Sequence, residues 1–214
     1  MFVTLEGLDG AGKSSQALAL AERIRAAGID VVLTREPGGT ALGERVRELL
    51  LQTDAPERTP LADALLFNAA RQQLVDEVIR PALAARRWVV CDRFADSTLA
   101  YQGYGAGVDL DPLRRLAEVA TGGLRPDRTL LFDLPGEAGL ARRAGGRTAE
   151  LTRFELAERH DLPFHQRVRN GFLALAAAEP ERWSVIDASA EPSVVTEAAW
   201  RVVEEWLALV PRRD

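Results

Sequence analysis

One lysine, Lys13, stands among 27 basic residues, in the stretch Gly7-Leu-Asp-Gly-Ala-Gly-Lys-Ser14. The spacing Gly-x-x-x-x-Gly-Lys-Ser is typical of a phosphate-binding loop (P-loop), whose backbone N–H groups surround phosphate oxygens. Lysine reaches the terminal phosphates as a compact, flexible point charge, whereas a planar guanidinium fits that position poorly. We therefore expect the chain to bind a nucleoside triphosphate, and Ser14 to ligate Mg²⁺.

Two charged pairs follow apolar segments further along the chain, Arg35-Glu36 and Asp92-Arg93. In parallel sheets, ligands bind where the strands end, so these pairs should lie beside the P-loop. An arginine next to a phosphate site suits the binding of a second phosphate. Transfer of a phosphoryl group between two bound phosphates needs alignment and neutralising cations more than covalent chemistry.

Two common classes of P-loop protein do not fit these residues. A GTPase reads guanine with an Asn/Thr-Lys-x-Asp segment, and the single lysine is already committed to the phosphate loop. A transport or remodelling ATPase would be expected to follow its third strand with Asp-Glu, where the glutamate polarises a water. Here Arg93 follows Asp92, which places a cation at that point.

The elements that must position these residues alternate between strands and helices. Short apolar segments predict strands at 2–6, 31–34, 88–91, 129–132 and 184–187. Helical periodicity, glycines and prolines predict helices at 13–27, 42–51, 60–80 with a kink near Pro81, 112–121 and 192–209. A further helix should carry Ser97 and Tyr101 ahead of a loop at 103–107, and another should run toward Ala178.

This alternation predicts an α/β fold of the P-loop NTPase type. We expect a three-layer arrangement, with a five-stranded parallel sheet and helices on both faces. Residues 1–214 should form a single P-loop kinase domain. The last helix should bury an apolar stripe made of Val194, Val195, Ala198, Val202 and Trp206.

Composition indicates the setting of the protein. The net charge is −5, and acidic and basic residues are interspersed along the chain. The overall charge therefore gives no indication of a nucleic-acid partner. The single cysteine excludes an internal disulfide framework and suits a reducing compartment. No apolar run approaches a membrane span, and the N-terminus has no signal-peptide pattern. We expect a cytoplasmic protein without membrane or nucleic-acid partners.

Several motifs together resemble the successive signatures of thymidylate kinases. These are Glu6-Gly-Leu-Asp-Gly-Ala-Gly-Lys-Ser14, Thr34-Arg-Glu-Pro-Gly-Gly-Thr40, Phe67-Asn-Ala-Ala-Arg71, Asp92-Arg93-Phe94 and Ser97-Thr-Leu-Ala-Tyr-Gln102. The Arg-Glu-Pro-Gly-Gly-Thr stretch is the most discriminating, because most other P-loop kinases lack it. The resemblance implies an enzyme that transfers the γ-phosphate of ATP to dTMP, giving dTDP. It also implies Mg²⁺ as cofactor and a homodimer.

Residue roles follow from this resemblance. The ATP site would comprise Gly7, Leu8, Asp9, Gly10, Ala11, Gly12, Lys13, Ser14, Ser15, Arg142 and Arg143. The dTMP site would comprise Asp9, Arg35, Glu36, Phe67, Arg71, Arg93, Ser97, Tyr101 and Gln102. Asp92 is expected as an outer-shell magnesium partner or, alternatively, a water partner.

Within the dTMP site, Phe67 and Arg71 lie four residues apart and so share one helix face. The ring could stack on a base while the guanidinium donates to a pyrimidine carbonyl, although core packing is the alternative for Phe67. By resemblance, Tyr101 crowds the sugar 2′ position, with a surface aromatic as the alternative. Asp9 would accept a hydrogen bond from the sugar 3′-OH.

Ser97 and Gln102 would contact the base edge. Arg35 and Arg93 would hold the dTMP phosphate.

Gly10 bears on the mechanism, because some thymidylate kinases carry a catalytic arginine at this P-loop position. The bacterial branch with glycine there supplies the cation from a lid, and 141–153 contains a cluster of arginines around two glycines. We expect a mobile lid at about 141–153, with Arg147 as the first catalytic candidate and Arg143 as the second, beside Lys13 and Arg93. A solvated basic loop is the alternative.

Two other functions stay open at this stage. One is a P-loop kinase for a different nucleoside monophosphate or a nucleoside, against which Phe67, Arg71 and Tyr101 argue. The other is a non-catalytic nucleotide sensor, which would not require Arg35, Arg93 and the lid arginines together.

Overall fold

The protein contains one five-stranded sheet in which all strand pairs are parallel. The computed structural model describes residues 1–52, 57–145 and 162–208, with the backbone alone for 143–145. The strands are β1 (Phe2–Glu6), β2 (Val31–Arg35), β3 (Trp88–Asp92), β4 (Arg128–Asp133) and β5 (Trp183–Asp187). Their order is β2-β3-β1-β4-β5, so β1 and the P-loop after it lie at the centre. The predicted α/β fold with a five-stranded parallel sheet is confirmed.

Helices connect the strands and cover the sheet. In the described ranges they are α1 (Lys13–Ala26), α2 (Ala41–Leu51), α3 (Pro60–Leu74), α4 (Arg80–Ala84), α5 (Ala95–Thr98), α6 (Leu110–Thr121), α7 (Gly136–Gly145), α8 (Leu162–Ala178) and α9 (Pro192–Ala208). Two wider, π-helical segments, Val75–Ile79 and Leu99–Gly105, continue α3 and α5.

One local expectation was wrong: the predicted loop at 103–107 is π-helical as far as Gly105. Near the predicted kink, the helix widens into the π-helical segment Val75–Ile79 and continues through Pro81 in α4. The first residues of the predicted lid, 141–145, are helical and belong to α7, and the lid itself stays a prediction.

Apolar side chains pack on both faces of the sheet. Helices α1 and α9 cover one face, with Leu20, Ile24 and Val203 packed against Leu5 and Phe132. The other face packs against helices that follow β2, β3 and β4, in two clusters. Because both faces are covered, β1 and β3 are buried along their whole length, as parallel strands usually are.

The buried stripe of α9 differs from the predicted one by one residue at several positions. The buried residues are Val195, Ala199, Val203 and Trp206, whereas Val194 is 57% exposed. Both series advance by four residues, and they run side by side on the helix, with Ala198 and Val202 partly buried against the same cluster.

Capping residues fix where two helices near the site begin. Thr40 accepts a hydrogen bond from the backbone N–H of Gly43 at 2.9 Å, which starts α2 directly after the Arg35-to-Thr40 loop. Thr59 caps α3 in the same way, with Pro60 in the first turn. Helix α1 is different, because Gly12 precedes it without a side-chain cap.

Among the described helices, none is both long enough and apolar enough to cross a membrane.

Candidate active site

The P-loop joins β1 to α1 and leaves the first N–H groups of α1 available for an anion. Gly12 precedes the helix at φ +83° and contributes no capping side chain, so a phosphate can take that place. The Lys13 ammonium is buried and donates to the carbonyl of Leu8 at 2.8 Å. Burial, with a smaller contribution from Arg93, lowers the pKa of Lys13 to about 8. A bound phosphate would restore the favourable environment of this cation.

Helix α7 lies in backbone contact with the P-loop. Gly10 has φ +81°, and a Cβ built on it would lie 2.5 Å from the carbonyl oxygen of Gly139 in α7. A Cβ on Gly139 would in turn lie 2.8 Å from the carbonyl oxygen of Asp9. Position 10 therefore has no room for a side chain in this arrangement, in keeping with the absence of a P-loop arginine.

Ser14 and Asp92 form the pair that suits Mg²⁺. The Ser14 hydroxyl donates to Asp92 Oδ2 at 2.5 Å. Asp92 Oδ1 is buried and has no hydrogen-bond partner in the described part of the chain. Hydroxyl and carboxylate oxygens are ligands that Mg²⁺ prefers, and it usually takes the rest from phosphates and water. No cluster of three or more potential metal-binding side chains occurs among the described residues.

A cavity of about 390 Å³, the loop cavity, opens over the P-loop. It is lined by Asp9, Gly10, Gly12, Lys13, Ser14, Ser15, Arg35, Glu36, Arg47, Asp92, Arg93 and Arg142. Most of the side chains expected to bind ATP and magnesium therefore meet in one place.

A second cavity of about 200 Å³, the inner cavity, adjoins the first. It is lined by Asp9, Glu36, Pro37, Arg47, Leu51, Phe67, Arg71, Arg93, Phe94, Ser97, Thr98, Tyr101 and Gln102. Eight of the nine residues expected for dTMP line it, and the ninth, Arg35, lines the loop cavity. The two cavities share Asp9, Glu36, Arg47 and Arg93.

Arg71 forms a buried ion pair with Glu36 beneath the inner cavity. Its Nε lies 2.9 Å from Glu36 Oε2, and its Nη2 lies 2.7 Å from the same oxygen. Nη2 also donates to the Phe94 carbonyl at 3.2 Å and to the Thr98 hydroxyl at 3.1 Å, and Nη1 donates to Asn68 Oδ1 at 2.8 Å. One N–H of Nη1 has no partner in the described ranges, so a single donor is left for a ligand.

The pKa of Glu36 is determined by its burial and by its ion pair with Arg71. Burial raises the pKa of Glu36, while the charge and hydrogen bonds of Arg71 lower it. Removal of either partner would leave a buried charge without compensation.

Arg93 lies where the two cavities meet. Its Nη2 donates to Asp9 Oδ1 at 2.5 Å and to the Tyr101 hydroxyl at 3.2 Å, and its Nη1 donates to Ser97 Oγ at 3.0 Å. Its backbone has φ +70°, which is uncommon for a residue other than glycine. Burial opposes the charge of Arg93, but Tyr101 and nearby carboxylates including Asp9 hold its pKa well above the ordinary value.

Tyr101 is half-buried and lines the inner cavity. Its hydroxyl donates to Asp9 Oδ2 at 3.1 Å, and its ring meets Phe172 edge-on with the centroids 6.1 Å apart. The alternative of a surface aromatic therefore does not describe its place in the fold. Phe67 likewise lines the cavity, at the edge of a small cluster with Val46 and Ala70.

Arg47 is a site residue that the sequence reasoning missed. It lines both cavities and donates to the Pro37 carbonyl at 2.9 Å. Burial, followed by repulsion from Arg35, lowers the pKa of Arg47. The available signal was its position on α2, four residues after buried Gly43 and next to buried Val46, where an arginine faces the protein.

Arg35 is half exposed and pairs with Glu44, with its Nη2 3.0 Å from both carboxylate oxygens.

Arg142 donates to the carbonyls of Ala188 at 2.7 Å and Ser189 at 2.9 Å in the loop after β5, and it lines the loop cavity. The side chains of Arg143 and Arg147, the two lid candidates, lie outside the described residues.

The fold and these two joined cavities define a P-loop kinase. The thymidylate kinase family profile matches residues 5–199. A thymidylate kinase of Synechococcus sp. (strain JA-3-3Ab) is 53% identical over 213 residues, covering 99% of this chain and 100% of that protein. A thymidylate kinase of Roseiflexus sp. (strain RS-1) is 47% identical over 221 residues, covering 100% and 98%.

Among solved structures, thymidylate kinase from Ehrlichia chaffeensis is similar, with a TM-score of 0.75 and 36% identity, covering 95% of this chain and 98% of that one. The chain belongs to the thymidylate kinase family. This confirms the resemblance drawn from the motifs, and it makes the protein a nucleoside monophosphate kinase rather than a non-catalytic sensor.

Proposed function

We propose that the protein transfers the γ-phosphate of Mg-ATP to dTMP, with ATP in the loop cavity and dTMP in the inner cavity. Family membership makes dTMP phosphorylation with ATP the activity of the chain. The observation that carries the assignment of the cavities is their junction. Asp9, Glu36, Arg47 and Arg93 line both, so two phosphate groups can meet there among cations.

ATP would place its phosphates on the N–H groups of residues 7–15, with Lys13 following the γ-phosphate as a point charge. Ser14 and Asp92 would hold Mg²⁺ directly and through water, as their oxygens and the orphan Asp92 Oδ1 suggest. When bound, Mg²⁺ neutralises phosphate charge and orients the triphosphate.

The base of dTMP would stack on Phe67. Arg71 would give its one remaining N–H to a base carbonyl, and Ser97 and Gln102 would contact the base edge. Arg71 would then act mainly through the fixed position that Glu36 gives it.

Tyr101 and Asp9 would contact the deoxyribose. The Tyr101 hydroxyl would occupy the space that a 2′-OH needs. Asp9 would accept from the 3′-OH through the carboxylate that also receives Arg93 and Tyr101.

Three arginines would hold the dTMP phosphate: Arg35, Arg47 and Arg93. Arg93 would also face the transferred group, because it lies at the junction of the cavities. Arg35 would leave its ion pair with Glu44 and bind the phosphate instead. Breaking this ion pair costs little free energy, because exposed ion pairs are weak. In-line transfer would then be accelerated by alignment and charge neutralisation.

A lid at about 141–153 would complete the single domain formed by residues 1–214. Arg147, or else Arg143, would supply the cation that Gly10 does not, and Arg142 would lie beside ATP. Closure would exclude water and so suppress hydrolysis. The contact between α7 and the P-loop supports a lid that starts from this helix.

We further propose a cytoplasmic homodimer without nucleic-acid or membrane partners. Leu61 and Leu65 on α3 are four residues apart and about half exposed, and Leu42 and Leu49 on α2 are exposed as well. Exposed leucines at this spacing support association between two copies. Light scattering of the purified protein would give the oligomeric state.

A substrate panel tests the proposed function. Purified protein with Mg-ATP should form ADP fastest with dTMP, compared with dUMP, UMP, CMP and AMP. Tyr101→Phe should narrow the preference for dUMP over UMP, which differ only at the 2′ position. Tyr104→Phe, on a half-buried tyrosine outside both cavity linings, should leave it unchanged. Absence of dTMP-dependent ADP would contradict the function, and equal turnover of UMP and dUMP by the wild type would contradict the role of Tyr101.

A further inference from the structure

Glu6, the last residue of β1, is fully buried and joins two parts of the turn between β3 and α5. Its Oε1 accepts a hydrogen bond from the backbone N–H of Phe94 at 2.8 Å. Its Oε2 lies 2.5 Å from Ser97 Oγ. Neither cavity lining includes Glu6, so its carboxyl acts on a ligand only through these neighbours.

The turn that Glu6 holds carries the residues at the junction of the cavities. Arg93 has φ +70°, a conformation that surrounding contacts must impose on a residue with a side chain. Its backbone N–H donates to Leu5 at 3.0 Å, and Glu6 fixes the next N–H, that of Phe94. The end of β1 thus determines where the Arg93 guanidinium points, and Ser97 accepts from that guanidinium at 3.0 Å.

We propose that Glu6 is a positioning residue for the monophosphate site, holding the Arg93 turn and fixing the orientation of the Ser97 hydroxyl at the inner cavity. This inference rests on the proposed function, because it assumes that dTMP occupies that cavity.

The direction of the Ser97 hydroxyl depends on whether Glu6 carries a proton. Oε1 already accepts from Phe94, so a proton on the carboxyl must be on Oε2 and be donated to Ser97 Oγ. Ser97 then accepts from Glu6 and from Arg93, and its own O–H is left to donate into the cavity. With Glu6 ionised, the Ser97 O–H turns back to the carboxylate and offers the cavity a lone pair.

The surroundings favour the protonated form near neutral pH. Burial raises the pKa of Glu6 to about 8, Asp96 of α5 adds to this, and Ser97, Arg93 and the Phe94 N–H oppose it. Lys13 of α1 and the Cys91 thiol of β3 also interact electrostatically with the carboxyl. Above this pKa, the ionised carboxylate would reverse the Ser97 hydrogen bond.

Two variants separate positioning from mere packing. In Glu6→Gln, the amide oxygen can accept from Phe94 and the amide N–H can donate to Ser97, which reproduces the protonated acid at every pH. Glu6→Ala leaves both groups without their partner. Glu22→Gln, on the exposed side of α1, is the control for loss of one negative charge.

Steady-state kinetics from pH 6.5 to 9 would give kcat and the KM for dTMP and for ATP. Wild-type KM for dTMP should rise through pH 8 while that of Glu6→Gln stays flat, and the two should agree near pH 7. Glu6→Ala should raise KM for dTMP on the order of tenfold, with KM for ATP unchanged, because a buried polar group loses its partner. Circular dichroism would establish that each variant is folded.

A pH dependence shared by wild type and Glu6→Gln would overturn the inference, and so would equal changes in both KM values for Glu6→Ala. If Glu6→Ala does not fold, the Glu6→Gln comparison alone decides. Absence of wild-type turnover of dTMP would instead contradict the proposed function.

Discussion

Replacement of Arg71 by alanine would remove the cation from a buried ion pair. Arg71 is 1% exposed and Glu36 is 6% exposed, and the shortest contact between them is 2.7 Å. The change would leave the Glu36 carboxylate buried without a counter-charge. The other three acceptors of Arg71 (Asn68, Thr98 and the Phe94 carbonyl) are neutral and would adapt more easily.

Breaking such a pair from one side costs about 3–5 kcal/mol of the free energy of unfolding. For a chain of this length, about 4 kcal/mol corresponds to a fall in Tm of about 8–16 °C. The double variant Arg71→Ala/Glu36→Gln removes the stranded charge, so it should recover about 2 kcal/mol of that loss. The loss in free energy of unfolding thus comes mainly from the uncompensated Glu36 carboxylate and less from the other contacts that Arg71 makes.

The pH dependence of the variant follows from Glu36. Burial raises the pKa of Glu36, and without Arg71 the pKa would rise further. A carboxyl with a raised pKa in the folded state stabilises the protein most at low pH, and this contribution is lost as pH rises through that pKa. The Arg71→Ala variant should therefore be destabilised more at pH 8 than at pH 5.

Urea unfolding followed by tryptophan fluorescence would measure these differences at both pH values. Arg45→Ala is the matched control, because Arg45 makes only an exposed ion pair with Glu48 and should cost less than about 1 kcal/mol. Calorimetric titration below the Tm of the variant should show a much larger loss of affinity for dTMP than for ATP. A destabilisation by Arg71→Ala below 1 kcal/mol, or equal losses for both nucleotides, would refute the reasoning.

Two further predictions concern the P-loop. Lys13→Arg keeps the charge but should lose most of the ADP formation with dTMP, because a planar guanidinium cannot replace the compact ammonium that donates to the Leu8 carbonyl; full activity would contradict this. Gly10→Ala should lower the free energy of unfolding by about 1–3 kcal/mol more than Gly12→Ala. Both glycines have similar positive φ, but only the Cβ at position 10 meets Gly139. Equal losses in urea unfolding would show that α7 does not restrict the loop.

Much of the fold was predictable because its strands are short apolar segments, two of which are followed by charged pairs. The predicted strands begin and end within one residue of the observed ones. For β1 and β3, burial on both faces explains the continuous apolar run. Predictions failed where the local sequence does not distinguish an α-helical turn from a wider one. The two π-helical segments are an example. Whether a helix takes up an extra residue in one turn depends on how it packs against other helices.

The site was predictable wherever a motif places a residue at the end of a strand or in the loop that follows it. Asp92 and Arg93 are at the end of β3, and Lys13 follows the P-loop after β1. Arg47 was missed because it belongs to no motif and stands in a helix among many other arginines. The buried ion pair between Arg71 and Glu36 could not be predicted from the sequence either, since the two residues are 35 positions apart.

The π-helical segment from Leu99 to Gly105 has a consequence for sequence length. Each residue of a helix turns the following side chains by about 100°. Deleting one residue between 99 and 101 would relax the wide turn to an ordinary helix and rotate Tyr101 and Gln102 together away from the inner cavity. The number of residues here, and not only their identity, therefore determines which side chains face the inner cavity. A relative that is one residue shorter in this segment would have to contact its nucleotide with different side chains.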